Sequence, residues 1–237
     1  MRGEVGTTRR VAGFAVHVFT ASGSVCALLA VLAILEGRFE LAFGWLLLAL
    51  FIDAIDGTLA RAVSIEASLP RFSGERLDLI VDYVTYVFVP VLAMLRGGFL
   101  PGTWGLVTAA AILLSSLYHF SDNHSKADDY CFVGFPAVWN LVAFCIFAWG
   151  CPAPVAMVLC LGLAALTFVP MHWIHPMRVG RLFAMNVAVA GAGLIAGGWI
   201  LATGFPGGAL PGAVLALTTG YFVAMAVAWR VVGQGQA

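Results

Sequence analysis

The sequence predicts an all-α integral membrane protein with about eight transmembrane helices. Three observations support this prediction: 62% of the 237 residues are hydrophobic, only 10% are charged, and the apolar residues fall into long runs. Soluble domains carry about 25% charged residues, and a run of about 18 or more apolar residues is typical of a membrane span. Because the formal net charge is zero, the chain has no basic field to bind nucleic acid, and no such partner is expected.

Eight apolar stretches are candidate spans. In chain order they lie at 11–35, 41–62, 73–96, 103–121, 132–150, 153–170, 182–202 and 209–230. The connections between them are short and contain turn residues, such as Cys151-Pro-Ala-Pro between the fifth and sixth spans. No hydrophilic linker interrupts the series, so residues 1–237 are predicted to form a single polytopic membrane domain.

The basic residues predict the orientation of these spans. If the N-terminus is cytoplasmic, ten of the twelve Lys and Arg residues fall on the cytoplasmic side, and Arg38 and Arg96 fall outside. Cytoplasmic loops of membrane proteins are enriched in Lys and Arg. Both termini are therefore predicted to be cytoplasmic.

The second span contains the pattern D-x2-D-G-x2-A-R within otherwise apolar sequence. Its defined residues are Asp53, Asp56, Gly57, Ala60 and Arg61. Their offsets of 0, 3, 4, 7 and 8 place them on one face of an α-helix. Two carboxylates and a guanidinium are thus predicted on the same side of this helix.

The third span contains the pattern G-x3-D-x3-D. Gly74, Asp78 and Asp82 recur every four residues, again on one helical face. A carboxylate inside a membrane costs about 2.5–3.5 kcal/mol, so four without a positive partner would cost on the order of 10 kcal/mol. An oxygen-only cluster suits Mg2+ or Mn2+. The sequence therefore predicts a site for one or two such ions between the second and third spans.

Together the two patterns resemble the signature of the CDP-alcohol phosphotransferases, integral membrane enzymes of phospholipid synthesis. Every signature residue is present. The spacer between Arg61 and Gly74 has twelve residues, which is longer than in most of the family and similar to the bacterial phosphatidylcholine synthase branch. The resemblance implies a CDP-alcohol phosphotransferase-like core over about residues 11–202.

The resemblance implies roles for the four carboxylates. Asp53, Asp56 and Asp78 are expected to be the principal ligands of two Mn2+ or Mg2+ ions. Asp82 is expected to be the general base for the acceptor hydroxyl, a further metal ligand, or both. The ions are expected to neutralise the diphosphate of the substrate and improve CMP as a leaving group.

The resemblance also implies a nucleotide site beside the carboxylates. Besides Asp53 and Asp78, its expected residues are His17, Thr20, Gly57, Ala60, Arg61 and Gly74. The small residues would admit a ribose and base, although close packing of helices explains them as well. The guanidinium of Arg61 suits diphosphate oxygens. A hydroxyl such as that of Thr20 commonly bonds a carbonyl of its own helix, and this second explanation stays open.

The function implied by the resemblance is transfer of the phosphatidyl group of CDP-diacylglycerol to choline, which yields phosphatidylcholine and CMP. The enzyme is expected in the bacterial inner membrane, surrounded by lipid, with its active site facing the cytoplasm. A homodimer would be in keeping with the family. The alternative acceptors for the same chemistry are serine, inositol and glycerol phosphate.

Choline is the preferred acceptor because of the aromatic residues near the signature. A trimethylammonium group is recognised by aromatic faces and nearby negative charge, whereas serine needs a cationic partner for its carboxylate. The candidates for the choline site are Tyr83, Tyr86, Tyr118, Asp128, Asp129, Tyr130 and Trp139. An interfacial aromatic belt explains any one of these aromatic residues equally well. Arg71, Arg76 and Arg178 are candidates for lipid phosphate contacts and would also suit a substrate carboxylate.

A membrane cation transporter is the alternative from a different functional class. Transport sites lie near the centre of the bilayer, whereas this signature is predicted at the cytoplasmic ends of its two helices. Gly57, Ala60 and Arg61 suit a nucleotide and have no evident purpose for a bare cation. A non-catalytic scaffold would leave four costly carboxylates unexplained. An enzyme is therefore the preferred interpretation.

Overall fold

The computed structural model describes residues 7–63, 72–122, 131–174 and 182–232. Within these ranges the chain forms eight helices and one two-stranded sheet. The helices are α1 (Thr7–Leu35), α2 (Phe39–Val63), α3 (Gly74–Arg96), α4 (Gly102–Ser121), α5 (Trp139–Ala148), α6 (Ala153–Leu166), α7 (Phe183–Thr203) and α8 (Ala209–Val232). The strands are β1 (Cys131–Val133) and β2 (His172–Ile174).

The helices confirm the predicted all-α membrane class. Five of them, α1, α3, α4, α7 and α8, are long and apolar enough to cross a membrane. Helix α2 has 25 residues and carries the first half of the signature. Each of the eight predicted stretches overlaps one of these helices, and the chain is a multi-pass membrane protein.

Local sequence signals set the ends of the helices around the signature. Gly37, with a φ of +74°, follows α1 in a conformation that strains residues with a side chain. The amide of Arg38 donates to the carbonyl of Ala33 at 2.9 Å and closes the end of α1. The hydroxyl of Ser73 caps α3 by accepting a hydrogen bond from the amide of Arg76 at 3.2 Å.

The fifth and sixth helices are shorter than the predicted spans 132–150 and 153–170. Helix α5 has 10 residues and α6 has 14. At 1.5 Å per residue they are about 15 and 21 Å long, whereas the hydrocarbon core is about 30 Å thick. Both are shorter than the helix of about 20 residues that a complete crossing needs, so the regular helix in these two stretches is shorter than predicted.

A small antiparallel sheet replaces the beginning of the predicted fifth span. Phe132 of β1 lies opposite Trp173 of β2. Gly134 has a φ of +80°, and a Cβ there would lie 2.2 Å from the carbonyl oxygen of Thr167. Pro136 follows two residues later and lacks an amide hydrogen. Gly134 and Ala137, the latter with a φ of 54°, lie outside the right-handed helical region, so the regular helix begins only at Trp139.

Helix α3 changes its winding near its middle. It consists of α-helical Gly74–Asp82, π-helical Tyr83–Phe88 and α-helical Val89–Arg96. At the end of the π segment, the amide of Val89 donates to the carbonyl of Val84, five residues earlier. Proline clashes with the carbonyl four residues before it, and for Pro90 that residue is Tyr86. The wider π turn relieves this clash within a continuous helix. The sequence interpretation did not predict the π segment.

The packing of α1 against α2 and α3 frames the signature. A Cβ on Gly23 of α1 would lie only 2.7 Å from Cγ1 of Val81 of α3. Gly23 therefore lets these helices approach closely at the level of Asp78 and Asp82. Helices α1 to α6 share one hydrophobic core.

The opposite end of the bundle is closed by contacts between α2 and the turn after α7. The carboxylate of Glu40 accepts a hydrogen bond from the amide of Phe205 at 3.0 Å. The rings of Phe43 and Phe205 meet edge to face, with centroids 5.6 Å apart. Asp53 lies ten residues after Phe43, about 15 Å further along α2. The carboxylates therefore lie toward the other end of the bundle.

Candidate active site

Four carboxylates converge between α2 and α3. Oxygen atoms of Asp53, Asp78 and Asp82 all lie within 4.8 Å of one another. Asp56, which is only 6% exposed, lines the same small cavity. The complete lining is Thr20, Ala49, Ile52, Asp53, Asp56, Asp78, Val81, Asp82 and Thr85. The two halves of the signature therefore meet at one site.

Helix geometry explains this convergence. Asp53 and Asp56 are three residues apart on α2, and Asp78 and Asp82 are four apart on α3, so each pair occupies one face of its helix. Asp53 and Asp56 lie in the second half of α2, and Asp78 and Asp82 lie in the first half of α3, so these two halves face each other at the cavity. The apolar wall formed by Ile52 and Val81 lowers the local dielectric and strengthens electrostatic interactions in the cavity.

The donor atoms fit a hard divalent cation. Carboxylate oxygens are the ligands that Mg2+ and Mn2+ prefer. Two oxygens on opposite sides of an octahedral Mg2+ are about 4.2 Å apart, and adjacent ones are closer. The spacing of at most 4.8 Å among Asp53, Asp78 and Asp82 is therefore compatible with shared coordination after small side-chain adjustments.

The members of the cluster differ in detail from the set that the resemblance implied. That set had Asp53, Asp56 and Asp78 as principal ligands, with Asp82 as base, ligand or both. The structure brings Asp82 into the group with Asp53 and Asp78, and places Asp56 on the wall of the same cavity. Asp82 is thus close enough to the other carboxylates for either of its two expected roles.

Tyr86 contacts the carboxylate cluster directly. Its hydroxyl donates to Oδ2 of Asp53 at 2.8 Å and joins α3 to α2. The sequence interpretation placed Tyr86 among the choline candidates and did not anticipate this contact. The repeat of four residues from Asp78 to Asp82 to Tyr86 was the available signal, because it continues the carboxylate face by one more turn.

His17 and Thr20 of α1 lie beside the signature, where the resemblance implied a nucleotide site. His17 is buried, and its Nε2 has no hydrogen-bond partner among the described residues. Its ring lies against Gly74, since a Cβ there would be 3.2 Å from Cε1 of His17. Thr20 lines the cavity, and its hydroxyl donates to the carbonyl of Val16 at 3.3 Å. Thr20 therefore lies beside the expected nucleotide site and also bonds a carbonyl of its own helix, so both explanations stay open.

The basic residues of the signature region lie outside the cavity. Arg61 is exposed, and its guanidinium donates to the hydroxyl of Thr58 at 3.2 Å. A Cβ on Gly57 would lie 3.4 Å from Nη1 of Arg61, so the arginine folds back along α2 over this glycine. Ala60 is half-buried and Arg76 is exposed. Arg61 and Arg76 could therefore make the expected phosphate contacts only with a ligand whose phosphates lie at the rim of the site.

The choline candidates that lie among the described residues occupy different environments. Tyr83 donates to the carbonyl of Leu113 at 3.1 Å. Tyr118 is 63% exposed, whereas Trp139 is fully buried and donates through Nε1 to the hydroxyl of Ser116 at 2.7 Å. The choline candidates Asp128, Asp129 and Tyr130 lie outside the described residues, as do the lipid-phosphate candidates Arg71 and Arg178.

The chain is similar in sequence to several phosphatidylcholine synthases. No protein-family model matches the chain. A phosphatidylcholine synthase of Rhizobium johnstonii is 44% identical over 176 residues, which cover 74% of this chain and 73% of that protein. A phosphatidylcholine synthase of Agrobacterium fabrum is 42% identical over 191 residues, or 81% and 79% of the two chains. A phosphatidylcholine synthase of Pseudomonas aeruginosa is 42% identical over 186 residues, or 78% of each chain.

Proposed function

The chain belongs to the phosphatidylcholine synthase family, and on this basis we propose that it transfers the phosphatidyl group of CDP-diacylglycerol to choline. The products are phosphatidylcholine and CMP. The observation that carries the proposal is the group of Asp53, Asp78 and Asp82, whose oxygens lie within 4.8 Å of one another inside a membrane helix bundle. Such a group suits diphosphate chemistry and has a high cost without a cation.

The carboxylates would hold Mg2+ or Mn2+, as one or two ions, through Asp53, Asp78 and Asp82, with Asp56 on the adjoining wall. A bound divalent cation supplies charge neutralisation to the diphosphate and stabilises CMP as the leaving group. The apolar side chains of Ala49, Ile52 and Val81 on the cavity wall would limit the access of bulk water to a bound phosphatidyl group.

The transfer is an in-line displacement at one phosphorus atom. The oxygen of choline attacks the phosphorus that carries diacylglycerol, and the bond from this phosphorus to the bridging oxygen of CMP breaks. The bridging oxygen and its electron pair leave with CMP. The hydroxyl proton of choline passes to a carboxylate, for which we propose Asp82. Since a carboxylate has two oxygens, Asp82 is able to contact a metal and accept this proton.

The nucleotide is proposed to bind on the α1 side of the carboxylates. The unpartnered Nε2 of His17 is a buried polar atom in need of a ligand. Gly74 and Thr20 lie beside it. Because Gly57 and Ala60 are small, a nucleotide could approach this face of α2 closely. The exposed guanidinium of Arg61 would reach the diphosphate by leaving its contact with Thr58.

The acceptor is proposed to reach the cavity as a cation. Four carboxylates line the cavity, and no Lys or Arg is among the described residues that line it. The bound cations would neutralise much of the carboxylate charge, so the choice of acceptor rests on the missing cationic partner. The carboxylate of serine would need a Lys or Arg there, whereas the trimethylammonium group of choline needs none. Serine, inositol and glycerol phosphate remain acceptors to be tested against choline.

The membrane arrangement completes the proposal. Both termini and the open side of the carboxylate site are proposed to face the cytoplasm of a bacterial inner membrane, with Arg76 near lipid phosphates. Residues 1–237 are proposed to act as one domain, and association into a homodimer stays a prediction.

The test is an assay of purified protein with CDP-diacylglycerol and labelled choline in lipid–detergent micelles. We expect labelled phosphatidylcholine and CMP to form in equal amounts, to stop with EDTA and to resume when Mn2+ or Mg2+ is added. Asp53→Asn should be inactive. Glu36→Gln should keep full activity, because Glu36 is exposed at the other end of the bundle. CMP release that requires serine, inositol or glycerol phosphate in place of choline would contradict the proposed acceptor.

A further inference from the structure

We infer that Tyr86 is a positioning residue that fixes the carboxylate of Asp53 for metal binding. The inference rests on the metal site of the proposed function and gives Tyr86 a role other than contact with choline. The role is based on the hydrogen bond of 2.8 Å that the Tyr86 hydroxyl on α3 donates to Oδ2 of Asp53 on α2. Asp53 contributes an oxygen to the group shared with Asp78 and Asp82, so the hydroxyl acts on a member of that group.

The winding of α3 brings Tyr86 into line with the two carboxylates. In an α-helix, four residues turn through about 400°, so each step of four drifts by about 40° around the axis. The step from Asp78 to Asp82 lies in the α-helical part of α3, and the step from Asp82 to Tyr86 lies mostly in the π segment. A π turn takes more than four residues and rotates less than a full turn in four. The step from Asp82 to Tyr86 therefore turns back the extra rotation around the helix axis that the step from Asp78 to Asp82 introduces.

Pro90 is the residue in the sequence that explains the π segment. The ring of Pro90 cannot tolerate an α-helical carbonyl at Tyr86, and the π segment resolves this conflict. The amide of Val89 reaches back to Val84 at the same point. Pro90 thus lies four residues after Tyr86, and the π segment presents Tyr86 on the face that already carries Asp78 and Asp82.

The hydrogen bond restrains the side chain without neutralising it. The carboxylate of Asp53 rotates about two bonds, and a donor on the neighbouring helix selects one orientation. A neutral hydroxyl leaves the negative charge of Asp53 in place, so the oxygens stay able to bind a cation. Partners of this kind commonly change metal affinity by about 10–100-fold.

Tyr83 provides a matched control on the same segment. Its hydroxyl also makes a hydrogen bond to a neighbouring helix, but the acceptor is the carbonyl of Leu113 on α4 at 3.1 Å. Tyr83→Phe and Tyr86→Phe each remove one hydroxyl from the π segment and leave the ring. Only the second change removes a partner of a carboxylate in the cluster.

The experiment measures Mn2+ binding by electron paramagnetic resonance, with the purified protein in detergent and no substrate. We expect Tyr86→Phe to raise the Kd for Mn2+ by about 10–100-fold and Tyr83→Phe to leave it unchanged. Mn2+ should also raise the melting temperature of the wild type more than that of Tyr86→Phe. In the assay, saturating Mn2+ should restore most of the kcat of Tyr86→Phe, with an unchanged KM for choline.

A second measurement tests the pathway through Asp53. In an Asp53→Asn background, adding Tyr86→Phe should have no further effect on the Kd for Mn2+, because the two changes remove the same interaction. Independent effects that add would contradict the inference, since Tyr86 would then act elsewhere.

The outcomes separate the inference from the proposed function. Wild-type protein that binds Mn2+ while Tyr86→Phe binds it equally well would overturn the role of Tyr86 alone. A raised KM for choline with unchanged Mn2+ affinity would also overturn it and return Tyr86 to the acceptor site. Wild-type protein that forms phosphatidylcholine without binding Mn2+ or Mg2+ would overturn the metal site and the inference together.

Discussion

The imidazole of His17 on α1 lies directly against Gly74 on α3. A Cβ at residue 74 would be 3.2 Å from Cε1 of His17, which is closer than an ordinary van der Waals contact. Gly74 was expected to be small so that a nucleotide can approach α3. The contact gives this glycine a second reason to be small, because it makes room for a buried histidine with an unpartnered Nε2.

The first prediction is that the effects of Gly74→Ala on the KM for CDP-diacylglycerol and on stability depend on His17. The methyl group should displace the imidazole by a few tenths of an ångström and raise the KM for CDP-diacylglycerol, with a loss of stability of about 1 kcal/mol. Adding His17→Ala should relieve the crowding, so that Gly74→Ala has no additional effect in that background. The measurements are substrate kinetics and melting temperature. Loss of CDP-diacylglycerol binding in both backgrounds would show that the nucleotide itself needs the space.

The second prediction concerns the carboxylates that group together. Asp53→Ala and Asp78→Ala should each abolish transfer and weaken Mn2+ binding, because each removes an oxygen from a group that spans at most 4.8 Å. Asp56→Ala should also abolish transfer, since Asp56 is buried on the same cavity wall. Activity and Mn2+ binding are measured on folded protein, with Glu36→Gln as the control. Wild-type turnover by any of these variants in EDTA would contradict metal-assisted chemistry.

The third prediction separates the two roles of Asp82. If Asp82 acts mainly as the general base, Asp82→Asn should lower kcat by about 10²–10⁴-fold while CDP-diacylglycerol still binds. The amide is nearly the same size as the carboxylate, so the surrounding packing should be unchanged. Isotope-labelled substrate binding and single-turnover rates measure the two effects separately. A variant that no longer binds Mn2+ would assign Asp82 to metal coordination instead.

The arrangement of the signature could be predicted because it depends on local periodicity. Spacings of three and four residues place Asp53 with Asp56 and Asp78 with Asp82 whatever the rest of the chain does. The apolar runs likewise predicted each of the eight helices. Which carboxylates group most closely depends on the rotation and depth of one helix against another, and single-chain periodicity contains no information on either.

The features that the sequence interpretation missed arise from long-range packing. The strand pairing of Phe132 with Trp173 joins segments about forty residues apart, and no periodicity links them. The π segment depends on how Pro90 is accommodated inside a packed bundle, where a kink was equally compatible with the sequence. Trp139 stays a choline candidate, but its depth in the core, where it contacts Ser116 of another helix, cannot be read from the aromatic-rich stretch around it.

The fourth prediction follows from this position of Trp139. Trp139→Ala should lower the free energy of unfolding by about 3–5 kcal/mol, because it removes a fully buried indole and leaves the Ser116 hydroxyl without its donor. Tyr118→Ala should cost much less, since Tyr118 is 63% exposed. Melting temperatures and choline kinetics are measured for both. A stable Trp139→Ala protein with a strongly raised KM for choline would restore Trp139 to the acceptor site.

The last prediction is that choline outcompetes serine when both are supplied at equal concentration. Four carboxylates line the cavity, and no Lys or Arg is among its described lining residues. The carboxylate of serine therefore finds no guanidinium or ammonium partner among these residues, whereas the trimethylammonium group of choline needs none. Differently labelled choline and serine are incubated with CDP-diacylglycerol and the protein, and the two lipid products are separated and counted. We expect phosphatidylcholine to exceed phosphatidylserine at least about tenfold, since a difference of 1.4 kcal/mol in transition-state binding suffices. Serine incorporation equal to or above that of choline would mean that cationic residues outside the described lining determine the acceptor.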